Sequence, residues 1–303
     1  MMRLFHLIFA IIILVLAINS RSGASKSFEF LLGASSARSA AMAESYSAVD
    51  DDPSSGFFNP AAIAFLDKSQ IQFMHVSYIS DASFENALIS SHRGKTRFNI
   101  ALNLGRISDI QRRDDYPSQD PLGLFDEHNF AAIITMGRPI NDNLALGISG
   151  KYAYEKLDLE AASAMAFDFG GFYKISEIIA ASISYRNLGT KPKFYNQAYG
   201  LPAELRLGLS FRGPENTGFR NILASSDLLL PSWGDSNIKL NLGGEYNYQD
   251  LFFARLGYYL GYDSKSLALG GGIAYKVYKF DYSLNFIKND LGDIHRFTLS
   301  VIL

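Results

Sequence analysis

From Ser69 to Leu303, apolar residues recur at every second position in segment after segment. In one of them Leu144, Leu146, Ile148, Gly150, Tyr152 and Tyr154 alternate with Ala145, Gly147, Ser149, Lys151, Ala153 and Glu155. A period of two is the signature of a strand with one apolar and one polar face. Phe98 to Leu104, Ala203 to Phe211, Tyr278 to Phe286 and Phe297 to Leu303 repeat the pattern, with small or charged residues between the apolar ones. A half-buried strand in a soluble sheet alternates in the same way. These segments run to about 10–12 residues, against roughly 5–6 in soluble sheets, and that is the length a tilted strand needs to cross a bilayer.

The strands are expected near 69–80, 82–92, 95–107, 128–137, 143–156, 161–173, 178–187, 202–212, 218–229, 236–247, 250–260, 266–275, 278–288 and 293–303. Connections at 138–142, 174–177, 213–217, 247–249 and 276–277 are short, whereas 108–127, 188–201 and 230–235 are long. Short turns at one end and longer loops at the other are what a bacterial outer-membrane barrel requires, and both termini at the short-turn end demand an even strand number. The expected fold is all-β: a transmembrane, antiparallel, up-and-down β-barrel of about 14 strands, spanning 69–303.

The N-terminus differs. Met1, Met2 and Arg3 precede an apolar run from Leu4 to Ile18, and Ser22-Gly23-Ala24 comes after it as a small-x-small site. The run is shorter than the roughly 20 residues of a spanning helix, so 1–25 reads as a signal peptide. The chain has no cysteine, which rules out a lipid-modified N-terminal Cys and fits an exported protein without disulfides. Its net charge of −2 gives no basic surface for nucleic acid.

Segment 26–68 is rich in Ala, Ser and Gly, and its alternation is poor. Ala37 to Ala43 suits a short helical turn, and Asp50-Asp51-Asp52-Pro53 a turn. Asn59-Pro60 followed by Ala61 to Leu66 suits a capped helix start. Small residues fit a segment packed closely inside something else, so 26–68 is expected to be a plug containing short helices.

Arg97, Lys151, Glu155, Asp168, Arg186, Glu204, Arg206, Lys239, Glu245, Arg255 and Asp281 fall on the polar face of their strands. They are expected inside the barrel, because an Arg or Lys facing lipid at the midplane costs roughly 2–4 kcal/mol. They either neutralise one another and hold the plug or line a polar path. Arg38 and Asn59, with Pro60, are the expected plug anchors: Arg38 through lumen carboxylates, Asn59 by capping its own helix. His75, His92, His128 and His295 are scattered without metal-ligand spacing, and the chain lacks G-x-S-x-G, H-E-x-x-H and a phosphate-binding Lys loop. Neither an enzyme, nor a cofactor, nor a metal site is expected.

Gly33-Ala34-Ser35-Ser36-Ala37-Arg38-Ser39-Ala40-Ala41-Met42, then Asp50-Asp51-Asp52-Pro53, then Phe57-Phe58-Asn59-Pro60-Ala61 resembles the opening of the PorV/PorQ outer-membrane proteins, relatives of the FadL-type barrels. Glu44 stands where that family prefers glycine. Arg186-Asn187-Leu188-Gly189, Leu201 to Gly208, Leu256-Gly257-Tyr258 and Leu291 to Arg296 continue the resemblance. It implies a FadL-like barrel of 14 strands in the outer membrane of a Gram-negative-type bacterium, with the N-terminal segment inside. The resemblance implies two non-enzymatic roles. One is binding or escorting exported proteins in type IX secretion, through secreted cargo or secretion-system components. The other is FadL-like transport of long-chain fatty acids or other hydrophobic small molecules. An escort needs a surface formed by loops such as 108–127 and 188–201; a transporter needs an apolar pocket near the plug and a lateral exit.

Overall fold

The computed structural model describes residues 27–78, 82–113, 120–214, 217–218, 220–232, 237–288 and 292–303. The expected signal peptide lies outside them. Among the described residues, strands β1 (Gln70–Ser77), β2 (Ser83–Arg93), β3 (Thr96–Arg112), β4 (Gly123–Pro139), β5 (Leu144–Leu157), β6 (Glu160–Lys174) and β7 (Ile179–Gly189) form one half of a barrel. A small hairpin of β8 (Lys193–Phe194) and β9 (Gln197–Ala198) stands apart from it. Strands β10 (Glu204–Arg212), β11 (Ile222–Pro231), β12 (Lys239–Tyr248), β13 (Phe252–Leu260), β14 (Lys265–Tyr275), β15 (Tyr278–Ile287) and β16 (Ile294–Ile302) form the other half. The fourteen barrel strands pair antiparallel with their neighbours in order, β7 with β10 across the hairpin, and β1 closes on β16 from Gln70↔Ile302 to Ser77↔His295. Closure leaves no sheet edge, so the ladder satisfies the backbone without water, the condition for crossing hydrocarbon.

The alternation dictates which way the wall faces. On β5, Leu146, Ile148 and Tyr152 point outward and are exposed, while Ala145, Ser149, Lys151 and Ala153 are buried in the lumen. Phe73, Ile100, Leu102, Ile134, Phe169, Leu256, Phe280 and Leu299 extend the same apolar surface around the outside. An apolar belt on this scale is far larger than a soluble protein exposes and suits a lipid-facing wall.

Three expectations on boundaries need correction. The loop expected at 108–127 is largely strand: β3 and β4 are 17 residues each, leaving a connection at 113–122. At about 3.4 Å per residue such a strand exceeds a tilted crossing of the ~30 Å hydrocarbon layer, so the hairpin projects beyond it. Arg106 Nη2 reinforces the pairing by bonding Asp126 across it at 2.7 Å, while Arg112 reaches Asp158 in the β5–β6 turn. A register shift between Ile107 and Ile110, with Asp109 at φ 58°, marks a bulge there. On the other side, β11 starts at Ile222 rather than 218, and the loop expected at 188–201 contains the β8–β9 hairpin.

The residues from Ser27 to Leu66 lie inside the wall and are almost all buried. Here the chain folds into helix α1 (Ala37–Ala41) and 3-10 turns at Glu29–Leu32, Pro53–Phe57 and Ala62–Phe65. Ser36 caps α1 by accepting from Ser39 N–H, and Asp52 caps the turn begun by Pro53. Asn59 Oδ1 accepts from Ala61 N–H at 3.0 Å, but the element it opens is a single 3-10 turn rather than an α-helix. Asn59 Nδ2 is held at the same time by the carbonyls of Ser47 and Gly171, at 3.0 and 3.2 Å, which fixes the chain direction. Such short elements leave many backbone groups unpaired, and wall side chains meet them. Thr298 accepts from Ala37 N–H, Asn285 donates to Ala40 O, Ser184 to Phe58 O, Ser210 to Ala48 O and Asn99 to Pro53 O.

Close approach also demands glycine in the wall. A Cβ on Gly147 would sit 2.3 Å from the Pro60 carbonyl carbon, and one on Gly257 2.3 Å from Ala43 N.

Candidate functional site

Two charged clusters tie the inner segment to the wall, and a third joins wall strands to one another. In the first, Arg38 grips Glu245 with Nε and Nη2 at 2.7 and 2.6 Å and reaches Asp51 at 2.9 Å and Asp52 at 3.4 Å. Behind Glu245, Arg255 bridges to Asp281 at 2.7 Å. Burial opposes charge on Arg38, but Asp51 and Glu245 outweigh it and hold the guanidinium well above its ordinary pKa. Burial likewise opposes the carboxylates of Asp51 and Asp52, yet Arg38 and Lys279, joined at Asp51 by Arg212, hold both below the usual range. Burial raises the Tyr46 phenol well above its ordinary value, so it stays protonated and donates to Asp52 at 3.1 Å.

In the second cluster, Arg206 joins Glu204 at 2.9 Å and Asp227 at 3.0 Å, and donates to Glu44 O at 2.7 Å. Arg186 joins Glu204 at 2.7 Å and Leu31 O at 3.0 Å. Asp227 also accepts from the N–H groups of Tyr46 and Ser47 and from Ser47 Oγ. In the third, Lys151 meets Asp168 and Asn187 Oδ1, each at 2.7 Å. Asn187 sits at φ 57° in a β6–β7 register shift, and its N–H donates to Asp168 at 2.8 Å.

The residues nominated from the sequence are thus distributed rather than gathered at one point. Arg38, Asn59, Pro60, Arg186 and Arg206 make contacts between wall and inner segment, and Glu204 and Asp168 serve those arginines and Lys151. Arg97 donates to Leu66 O where the inner segment leaves the lumen. Glu155 accepts from Phe28 N–H at 2.7 Å, at the opposite end of the segment. Asp227, whose carboxylate makes the most contacts with that segment, is missing from the nominated set. It is the lone acid of Ile222–Pro231, on the polar face shared with Ser225, and that parity was the available signal.

Above the inner segment, at the end carrying the 113–122, 190–203 and 232–238 connections, lies a cavity of about 540 Å³. Its floor includes Glu29, Phe30, Leu32 and Glu44 of the inner segment. Its walls carry Met74, Val76, Phe84, Ile107 and Leu229 beside Asn86, Glu127, Asn129, Glu155 and Lys265. Next to it, Phe194 of the small hairpin packs on Phe28 and Tyr199, with ring centroids 6.3 and 5.9 Å apart. Large pockets with apolar walls and a few convergent polar groups are the usual form of a small-molecule site. Among the described residues no group of acids and histidines is arranged to hold a metal. His75 and His295 face outward, against Glu85 and Tyr282.

No protein-family model and no curated protein matches the chain. Solved structures do. The Pseudomonas putida toluene transporter TodX superposes with a TM-score of 0.65 at 12% identity, over 88% of this chain and 98% of its own. The chain has the FadL-like barrel fold. CymD, a monoaromatic hydrocarbon channel, matches at 0.63 and 12% identity over 91% of this chain and 98% of its own. A Pseudomonas aeruginosa FadL homologue matches at 0.58 and 14% identity over 88% and 98%.

Proposed function

We propose that the chain is an outer-membrane transporter admitting hydrophobic small molecules, with residues 26–68 as its plug. The carrying observation is the 540 Å³ cavity with its partly apolar walls, floored by the inner segment at the long-connection end. Structural neighbours named as a toluene transporter and a hydrocarbon channel support the reading. The lumen below the cavity is occupied by Ser27 to Leu66, so onward passage requires either movement of that segment or exit through the wall.

Cells producing the protein should take up a labelled neutral probe such as octanol or toluene faster than cells carrying an empty vector. Equal uptake at matched outer-membrane levels rejects the proposal. The escort role in type IX secretion rests on the sequence resemblance alone. Loss of surface cargo on deletion of the chain, with unchanged hydrocarbon uptake, would favour it instead.

A further inference from the structure

We propose that the cavity selects hydrophobic amines, molecules with an apolar body and a protonated ammonium head, over carboxylates of the same chain length; this rests on the transporter reading above. One arc of the cavity wall, over β2 to β5, carries side-chain acceptors, with Gly105 as a gap between Asn103 and Asn129. Across β2 and β3, Asn86 stands opposite Asn103; across β3 and β4, Gly105 opposite Asn129; across β4 and β5, Asn129 opposite Glu155. Glu127 is the diagonal neighbour of Glu155 on the same face, a spacing of about 7–8 Å between Cα atoms.

The hydrogen bonds orient these acceptors. Asn129 Nδ2 donates to Glu127 at 2.8 Å and Asn86 Nδ2 to Asn103. That leaves Asn129 Oδ1 and Asn86 Oδ1 without a partner, although the residues are only 5% and 4% exposed. Buried acceptors are normally satisfied. These two line the cavity beside two carboxylates, so what is missing is a donor, and an ammonium carries three donors and no acceptor. Its positive charge also relieves the repulsion between neighbouring carboxylates.

The cations of the lining stand on β10 to β16, and two of them are already engaged. Lys265 holds Glu44 at 2.8 Å, and Arg206 holds Glu204 and Asp227. Arg296 gives Nη1 to Asn285 at 2.6 Å; its Nε is an open buried donor, two strands from Asn86. Lys239, over the Tyr262 ring at 4.6 Å, completes the cations of the lining, so an entering carboxylate meets these donors on one side and the acceptors of β2 to β5 on the other. Met74, Val76, Phe84 and Ile107 supply the apolar surface for the body of the ligand.

The test is calorimetric binding of octylammonium, octanoate and octanol at pH 7 to the full barrel in nanodiscs. Octylammonium should bind at least tenfold more tightly than octanoate, with octanol between them. Glu127→Gln with Glu155→Gln should weaken octylammonium at least tenfold and octanol at least fivefold less than that. Asn129→Asp, which adds a carboxylate where an acceptor already stands, should tighten octylammonium and keeps the test open if the double variant fails to fold. Octanoate binding as tightly as octylammonium, or an amine affinity indifferent to all these changes, overturns the proposal. If octanol binds while the amine shows no preference, the selectivity falls and the transporter reading stands; if none of the three binds, both fall.

Discussion

Arg38 of the inner segment and Glu245 of β12 meet through two parallel N–H···O bonds, 2.7 and 2.6 Å long, with both side chains almost fully buried. Such a fork fixes orientation as well as distance. A buried charge left with no partner costs about 3–5 kcal/mol; here Arg38 keeps Asp51 and Asp52 and Glu245 keeps Arg255, so each single removal costs less than that. Arg38→Ala or Glu245→Ala should therefore expose the inner segment to protease in an otherwise folded barrel. Arg38→Met combined with Glu245→Leu should be less damaging than the sum of the two single changes, because the pair is coupled. If both single variants resist protease like the parent, the cluster does not hold the segment.

Acid should act on the same cluster in a defined window. Asp51 and Asp52 have folded-state pKa values depressed below the ordinary carboxylate range by Arg38 and its neighbours. A depressed acid contributes stability that is complete above its unfolded pKa, near 3.9, and is lost as pH falls through the folded value. The stability difference between the parent and an Asp51→Asn, Asp52→Asn variant should be constant from pH 8 to about 5 and shrink below about pH 4. Asp51 keeps an exposed edge, so Asp52 should account for more of it. A difference that already fades between pH 7 and 6 would assign the effect to other groups.

Glycine in the wall is a third handle. Gly147→Ala drives a methyl into the Pro60 carbonyl, whereas a Cβ on Gly244 meets nothing within 4 Å. Overpacking of this kind costs about 1–3 kcal/mol. Gly147→Ala should lower the temperature of the heat-induced gel shift and Gly244→Ala leave it within error. Equal behaviour of the two would mean that the Asn59-Pro60 turn shifts freely.

The wall was legible because a two-residue period is a local property: any window of β5 or β16 shows which side chains face lipid. The β3–β4 hairpin was misjudged at its tip because Asp109, Arg112 and Asp126 look like loop residues until their pairing across strands is known. The inner segment has no period at all. Its short turns are stable only because Thr298, Asn285, Ser184 and Ser210, far away in sequence, satisfy its backbone. Parity gave the inward direction of Lys151 or Arg206, but not whether each would meet the inner segment, another wall residue or a cavity. For the same reason the cavity itself, assembled from strand ends and the floor at Glu29 to Glu44, had no sequence signature.

Glu44 offers the last test. It stands where the PorV/PorQ pattern prefers glycine, and it occupies the left-handed region at φ 59°, next to Ala43 at φ 53°. A non-glycine residue held there costs on the order of 1 kcal/mol. The side chain offsets this by binding Lys265 at 2.8 Å, which outweighs the burial of the carboxyl and lowers its pKa. Glu44→Ala loses the ion pair and keeps the strain, while Glu44→Gly loses the ion pair and relieves it. Both should be less stable than the parent, with the glycine variant recovering about 1 kcal/mol relative to alanine. Thermal or denaturant unfolding of the two variants side by side measures this. An alanine variant as stable as the glycine one would mean that the Arg206 contact to Glu44 O, not the residue type, sets this backbone.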